Sequence, residues 1–222
     1  MVKPIRVWKE IYAIGGPDLS HPYDCYIYLI SDAELLIDCG AGESFEQLVR
    51  NMQSLGFKPE KLKAVVATHA HIDHIGALYQ FRERFGVQVI AHEMEARAIE
   101  TGVGVGAEFY GIAYKPCKVD IRLRGEEESL KYGGYEIKAI HIPGHTPGSI
   151  AVYVDMGKRV LFGQDIHGPY FIKGSNIPQA KTSLQKLIDL KADILCEGHF
   201  GIYQPATEVE RYIEGHLYSL YS

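Results

Sequence analysis

Four side chains that bind metal ions readily fall within six residues of this chain. They are His69, His71, Asp73 and His74 in the run THAHIDH, which directly follows a short apolar segment. Side chains two residues apart point the same way in an extended chain, so His69 and His71 are expected to face one point. Asp73 and His74 fall where a helix is predicted to begin and can face a second point. Imidazole nitrogen and carboxylate oxygen are ligands for zinc and similar cations. The run therefore predicts a metal site whose spacing suits two adjacent ions.

The alternative interpretation of this run is a polar loop with solvated histidines. Ile72 and Ile75 argue against it, because residues of this type are usually buried. Polar groups buried beside them without partners would cost roughly 1–3 kcal/mol each.

Three further segments repeat one pattern, in which an apolar strand ends in a His or Asp near glycine. They carry His145 after Gly144, Asp165 after Gly163-Gln164, and His199 after Gly198. Glycine permits tight turns and close backbone approach. A single histidine after a strand is more often structural, but four such segments in one chain favour a shared site at strand ends.

These residues must be positioned by regular secondary structure. Along the chain, segments whose apolar residues have strand spacing alternate with segments that have helix spacing, which predicts one mixed α/β domain over residues 1–222. Strands are predicted over 5–14, 26–30, 35–39, 64–68, 87–91, 118–123, 135–142, 150–154, 159–162 and 194–196. Helices are predicted near 45–55, 78–85, 93–101, 184–188 and 207–220. Residues 102–117 are predicted to form a long loop with three aromatic side chains. This composition favours a lid that covers a substrate site.

Composition narrows the class of protein. The 222 residues are 46% apolar, enough for a sizeable core, and the net charge of −5 argues against nucleic acid or an anionic membrane as the main partner. No stretch approaches the ~20 apolar residues of a spanning helix, and the N-terminal residues do not resemble an export signal. The four cysteines include no Cys-x-x-Cys pair, so we expect reduced thiols in a cytoplasmic protein. The expected partner is a small-molecule substrate.

The order of the motifs HxHxDH, GHTPGS, a strand-end Asp and GH resembles the metallo-β-lactamase superfamily, from about Leu36 to His199. The resemblance implies a four-layer αβ/βα sandwich and a site for two divalent metal ions. It assigns His69, His71 and His145 to one ion, Asp73, His74 and His199 to the other, and Asp165 to a bridge between them. Asp38, in LIDCG, matches the aspartate that supports the metal site from behind the ligands.

The resemblance also implies a function. A hydroxide bridging the two metals would attack the carbonyl of a small ester, thioester or lactone, and Asp73 would pass a proton to the leaving group. Zinc is the expected metal for hydrolysis, although donors of this kind also suit iron or manganese.

Among branches of the superfamily, the ligand set is similar to glyoxalase II-like hydrolases and to lactonases. Persulfide dioxygenases share the HxHxDH order but use one iron, so a mononuclear iron dioxygenase acting on a sulfur substrate is the alternative. His21, Tyr23, His167 and Tyr170 are candidate substrate contacts, and the aromatic residues of the 102–117 loop and of the C-terminal helix would suit a homodimer.

Overall fold

The computed structural model describes residues 3–221, and the chain divides by its internal contacts into two units, 1–123 and 124–222. The predicted single domain over 1–222 stays a prediction, and residues 1, 2 and 222 lie outside the described residues. The predicted α/β class is confirmed, since each unit holds one sheet with helices packed on it.

Unit 1 contains a seven-stranded sheet whose strand order follows the chain. Its strands are β1 (Ile5–Trp8), β2 (Ile11–Gly15), β3 (Ile27–Ile30), β4 (Leu35–Ile37), β5 (Ala64–Val66), β6 (Gln88–His92) and β7 (Ile121–Leu123). Its helices are α1 (Phe45–Ser54), α2 (Ile72–Ile75), α3 (Leu78–Phe85), α4 (Glu93–Thr101) and α5 (Ala107–Tyr110).

The parallel strands β4, β5 and β6 form the centre of this sheet and position its polar residues. All residues of β4 and β5 are buried, as expected for parallel strands covered on both faces. The carboxyl ends of parallel strands lie at one edge, so Asp38 after β4 and His69 after β5 emerge close together. Helix α1 packs Leu48 and Met52 into the same core.

Unit 2 contains a six-stranded sheet in the order β13-β12-β11-β10-β9-β8. Its strands are β8 (Glu127–Tyr132), β9 (Tyr135–His141), β10 (Ile150–Asp155), β11 (Arg159–Gln164), β12 (Ile194–Glu197) and β13 (Ile202–Tyr203). Helices α6 (Ile177–Asp189) and α7 (Ala206–Ser219) complete it. Strands β11 and β12 are parallel, whereas the other neighbours are antiparallel. Asp165 and His199 therefore follow the same edge, where the β9–β10 loop also carries His145.

Several predicted elements were wrong in detail. The strand predicted over 5–14 is two strands, because Lys9 adopts a left-handed φ of 44° and turns the chain between β1 and β2. Strands β8 and β13 were not predicted, and the 102–117 loop contains the short helix α5. Within residues 3–221, none of the helices combines the length and apolar character needed to cross a membrane.

Candidate metal centre

The predicted ligand run in unit 1 forms a cluster of buried side chains. His71 keeps an extended backbone and caps α2, which places Asp73 and His74 on the first turn of that helix. Nε2 of His69 lies 2.9 Å from Nδ1 of His71, and the rings of His69 and His74 are 4.1 Å apart between centroids. Oδ2 of Asp73 lies 3.6 Å from Nε2 of His74. The run therefore gathers three imidazoles and one carboxylate in one place.

Asp38 fixes the orientation of His74. Its Oδ2 lies 2.7 Å from Nδ1 of His74 and also accepts a hydrogen bond from the Thr68 hydroxyl, while Oδ1 accepts one from the Thr68 amide. A carboxylate on Nδ1 makes that nitrogen the donor and leaves Nε2 as the metal-binding atom. The support of a metal site by Asp38, which the resemblance implied, stays a prediction.

The main chain of α2 is held by neighbouring loops. The amide of Cys25 donates to the carbonyl of Asp73, and the amide of Cys39 donates to the carbonyl of His74. Gly76, directly after α2, approaches residue Ala41 so closely that a Cβ there would lie 2.1 Å from the Ala41 oxygen. The position of the ligand helix therefore depends on these main-chain contacts.

One buried carboxylate beneath the run was not predicted. Glu95 of α4, only 5% exposed, accepts a hydrogen bond of 2.9 Å from the amide of Ala70, between His69 and His71. An acidic residue in the first turn of a helix is common for other reasons, so the sequence carried no distinct signal for this contact.

The predicted ligands of unit 2 meet around Asp165. Its Oδ2 lies 3.3 Å from Nε2 of His145, and its Oδ1 lies 3.3 Å from Nε2 of His199. Nδ1 of His145 is 3.1 Å from the carbonyl oxygen of Pro169, which turns its Nε2 toward Asp165. Each oxygen of this carboxylate thus faces a different imidazole.

A second carboxylate in unit 2, Glu197, is fully buried at the end of β12. Its Oε2 accepts hydrogen bonds from the amides of His199 (2.5 Å) and Phe200 (2.8 Å), and its Oε1 lies 2.6 Å from Nδ1 of His167. Glu197 was not predicted as a site residue, although an acidic residue at the end of the apolar run Ile194–Cys196 was a usable signal. His167, a predicted substrate contact, is thereby tied to the His199 turn.

The donor atoms in the two units fit divalent metal ions. Both sets consist of imidazole nitrogens and carboxylate oxygens, which suit zinc, iron or manganese. Ring nitrogens that lie as close as those of His69 and His71 can share one cation.

The buried thiols nearby lack the features of nucleophiles. Sγ of Cys25 lies with Asp38 and His74 in a group whose ligand atoms are within 4.8 Å of one another. Burial raises the pKa of the Cys25 and Cys39 thiols well above their usual range. A thiol that stays protonated is a poor nucleophile.

The other candidate substrate contacts occupy loops. In unit 1, the rings of His21 and Tyr23 are in edge contact at 5.1 Å, and Tyr23 makes a similar contact with Tyr110 of α5. The loop that carries α5 is anchored by Val105, whose carbonyl accepts a hydrogen bond from the amide of Ile72, at the start of the ligand helix.

In unit 2, Tyr170 points its hydroxyl at the main chain. The hydroxyl donates a 2.6 Å hydrogen bond to the carbonyl of Ile166, and burial raises its pKa. Its ring, rather than its hydroxyl proton, is therefore the part of Tyr170 that a ligand would meet in this conformation.

Comparison with known proteins agrees with these observations. The family model for the metallo-β-lactamase superfamily matches residues 21–199. The chain is 29% identical to hydroxyacylglutathione hydrolase GloC of Haemophilus influenzae over 186 residues, which are 79% of this chain and 84% of that protein. It is 30% identical to acyl-coenzyme A thioesterase MBLAC2 of Gallus gallus over 202 residues, 78% of this chain and 70% of that protein.

The fold has solved counterparts as well. A metallo-β-lactamase from Cronobacter sakazakii superposes with a TM-score of 0.82 at 20% identity, covering 99% of this chain and 96% of the other. This likeness concerns the fold, whereas the family model spans every predicted ligand. The chain belongs to the metallo-β-lactamase superfamily.

Proposed function

We propose that this protein is a hydrolase that uses two divalent metal ions to cleave a small ester, thioester or lactone. The ligand sets of the two units would together hold the ions, with His69, His71 and His145 on one, Asp73, His74 and His199 on the other, and Asp165 between them. Membership of a superfamily of metal-dependent hydrolases supports the class of reaction.

The observation that carries this proposal is the geometry of Asp165. Its two oxygens face His145 and His199, which are assigned to different ions. A carboxylate that lies between ligands of two ions is in position to bind both. The arrangement therefore supports a pair of ions, and zinc is the metal we propose for it.

When bound, two such ions would supply an activated water and polarise the substrate carbonyl. The protein's own contribution is to hold the donors rigidly and to move protons. We assign to Asp73 the transfer of a proton to the leaving group, because its carboxylate lies on the first turn of α2 beside His74. Asp38 keeps His74 from rotating, so that its Nε2 stays available.

The substrate class is proposed from the relatives. One is named a hydroxyacylglutathione hydrolase and the other an acyl-coenzyme A thioesterase, which makes thioesters the first substrates to test. We propose His21 and Tyr23 in unit 1 and His167 and Tyr170 in unit 2 as the residues nearest the substrate. Four buried cysteines, none in a disulfide, support a reducing compartment such as the cytoplasm.

The proposal is tested by metal quantification on protein purified without added metal, followed by a panel of thioesters, esters and lactones. We expect two equivalents of metal, and hydrolysis that disappears with a chelator and returns with zinc. Clearly fewer than two equivalents after reconstitution, with no hydrolysis of the panel, would overturn it. One equivalent of iron with oxygen uptake on glutathione persulfide would instead support the dioxygenase alternative.

A further inference from the structure

Glu197 connects the two loops of unit 2 that carry Asp165 and His199. One of its oxygens accepts hydrogen bonds from the amides of His199 and Phe200. The other lies 2.6 Å from Nδ1 of His167, two residues after Asp165. Because an ionised carboxylate only accepts hydrogen bonds, Nδ1 of His167 must carry the hydrogen.

Several hydrogen bonds hold the turn from Glu197 to Gly201, among them one from the Gly198 amide to the Gln164 carbonyl and one from the Tyr203 hydroxyl to the Phe200 carbonyl. The amide of Glu197 donates a hydrogen bond to the carbonyl of Gly201, which closes the turn. Gly201 has a positive φ of 103°, a conformation that favours glycine. His199 is 27% exposed, so packing alone does not fix its ring. The hydrogen bonds from the His199 and Phe200 amides to Glu197 therefore restrain the main chain that carries His199.

His167 completes the connection from the other side. Its ring lies edge-on to His199 at 5.4 Å and to Phe200 at 4.7 Å, and its bond to Glu197 anchors the segment that begins at Asp165. With this tie, Oδ1 of Asp165 lies 3.3 Å from Nε2 of His199. The pairing of β11 with β12 brings the two segments together, and the contact between Glu197 and His167 adds a side-chain restraint on the separation of these two predicted ligands.

We propose that Glu197 and His167 form a positioning pair that holds Asp165 and His199 at the spacing needed for one of the two metal ions. The pair touches neither ion; it acts through the turn and the loop that it joins. This inference rests on the proposed dinuclear function, because it concerns occupancy of one half of that site.

The pair predicts a selective loss of metal. The ion assigned to His69, His71 and His145 keeps those three ligands in every variant of the pair. The ion assigned to His199 loses its preorganised ligand spacing, and contacts behind a ligand typically change metal affinity by about 10–100-fold. Removing the pair should therefore leave about one tightly held metal equivalent.

The experiment measures zinc stoichiometry and the affinity of each site by competition with a chelator, together with thermal unfolding of the zinc-free proteins. The variants are Glu197→Ala, His167→Leu and His167→Asn, with Glu210→Gln on the exposed face of α7 as the control. We expect about one equivalent for Glu197→Ala and His167→Leu and two for the wild type and the control. Asn places an N–H donor where Nδ1 of His167 lies, so His167→Asn should regain the second equivalent.

Each outcome bears on a different claim. If the wild type binds two ions and hydrolyses substrate while Glu197→Ala and His167→Leu keep both ions with unchanged affinity, this inference is wrong and the proposed function stands. If Glu197→Ala loses both ions, or if all His167 variants behave alike, the contacts are merely structural and the inference is also wrong. A wild type that binds fewer than two ions overturns the dinuclear function and this inference together.

Discussion

Nδ1 of His74 lies 2.7 Å from Oδ2 of Asp38, and both side chains are fully buried. The carboxylate sits behind the imidazole, so His74 can offer only Nε2 to a metal ion. Asp38 has a left-handed φ of 58°, a conformation that costs free energy for residues other than glycine. The loop after β4 is therefore held in shape by its contacts with His74 and Thr68.

Replacing Asp38 by Ala should weaken binding of the metal ion that His74 ligates by about 10–100-fold, because the imidazole loses its orienting partner. A chelator competition followed by metal quantification measures the effect. Asp18→Ala, at an exposed position, is the control and should bind metal like the wild type. Unchanged affinity in Asp38→Ala would contradict the orienting role.

Asp165→Ala should abolish turnover and lower the metal content, because both ions lose a shared ligand. The measurements are metal stoichiometry and the rate of thioester hydrolysis on the same preparation. Asp189→Ala on α6 serves as a control for aspartate loss in unit 2. Near-normal activity of Asp165→Ala with two bound ions would exclude the bridging role.

Gly76→Ala should destabilise the protein by about 1–3 kcal/mol, as overpacking of a tight contact does. The added Cβ would lie 2.1 Å from the Ala41 oxygen, and main-chain atoms cannot move aside as a flexible side chain can. Gly215→Ala is the matched control: it lies in α7 with nothing within 4 Å of its added Cβ. That control should stabilise by about 0.5–1 kcal/mol. Urea unfolding measures the free energy of unfolding of both variants. Equal values for the two would refute the steric argument.

The pair Arg159–Asp193 predicts a pH dependence of stability. The Arg159 guanidinium and amide lower the pKa of Asp193 to about 2 from its ordinary 3.8. A carboxyl with a lowered pKa stabilises the fold at pH above about 4, and this contribution is lost as pH falls toward 2. Both side chains are partly exposed, so solvent screening should keep the effect on the free energy of unfolding small.

Asp193→Asn should therefore unfold at a lower urea concentration than the wild type at pH 7, with a difference that shrinks between pH 4 and pH 2. The same comparison with Asp155→Asn controls for removal of a negative charge next to β10. A difference that stays constant across this range would show that the pair does not titrate as argued.

The sequence could predict the ligand run because residue type and spacing alone restrict its chemistry. His69 and His71 contact each other as the spacing indicated, although the main chain bends at Thr68 and His69, and α2 begins at Ile72. Glu95 was missed because its partner is the amide of Ala70, 25 residues away, and nothing in the sequence marks that contact. Glu197 was missed although it directly follows an apolar run. Strand β8 was missed because Leu130 is its only buried residue, so it lacks apolar alternation.

The boundary between β1 and β2 escaped prediction for another reason. The apolar pattern continues across the break, whereas the turn depends on the left-handed conformation of Lys9. Hydrogen bonds from the Arg6 side chain to the Lys9 carbonyl and to Glu10 stabilise that turn. Such contacts are visible only in three dimensions.

The most direct test of two ions held by seven side chains is anomalous diffraction at the zinc edge from crystals of the zinc-reconstituted protein. We expect two peaks about 3.5–4 Å apart, with Asp165 in contact with both. His145 should ligate one and His199 the other. A single peak, or peaks that these residues do not touch, would contradict the account.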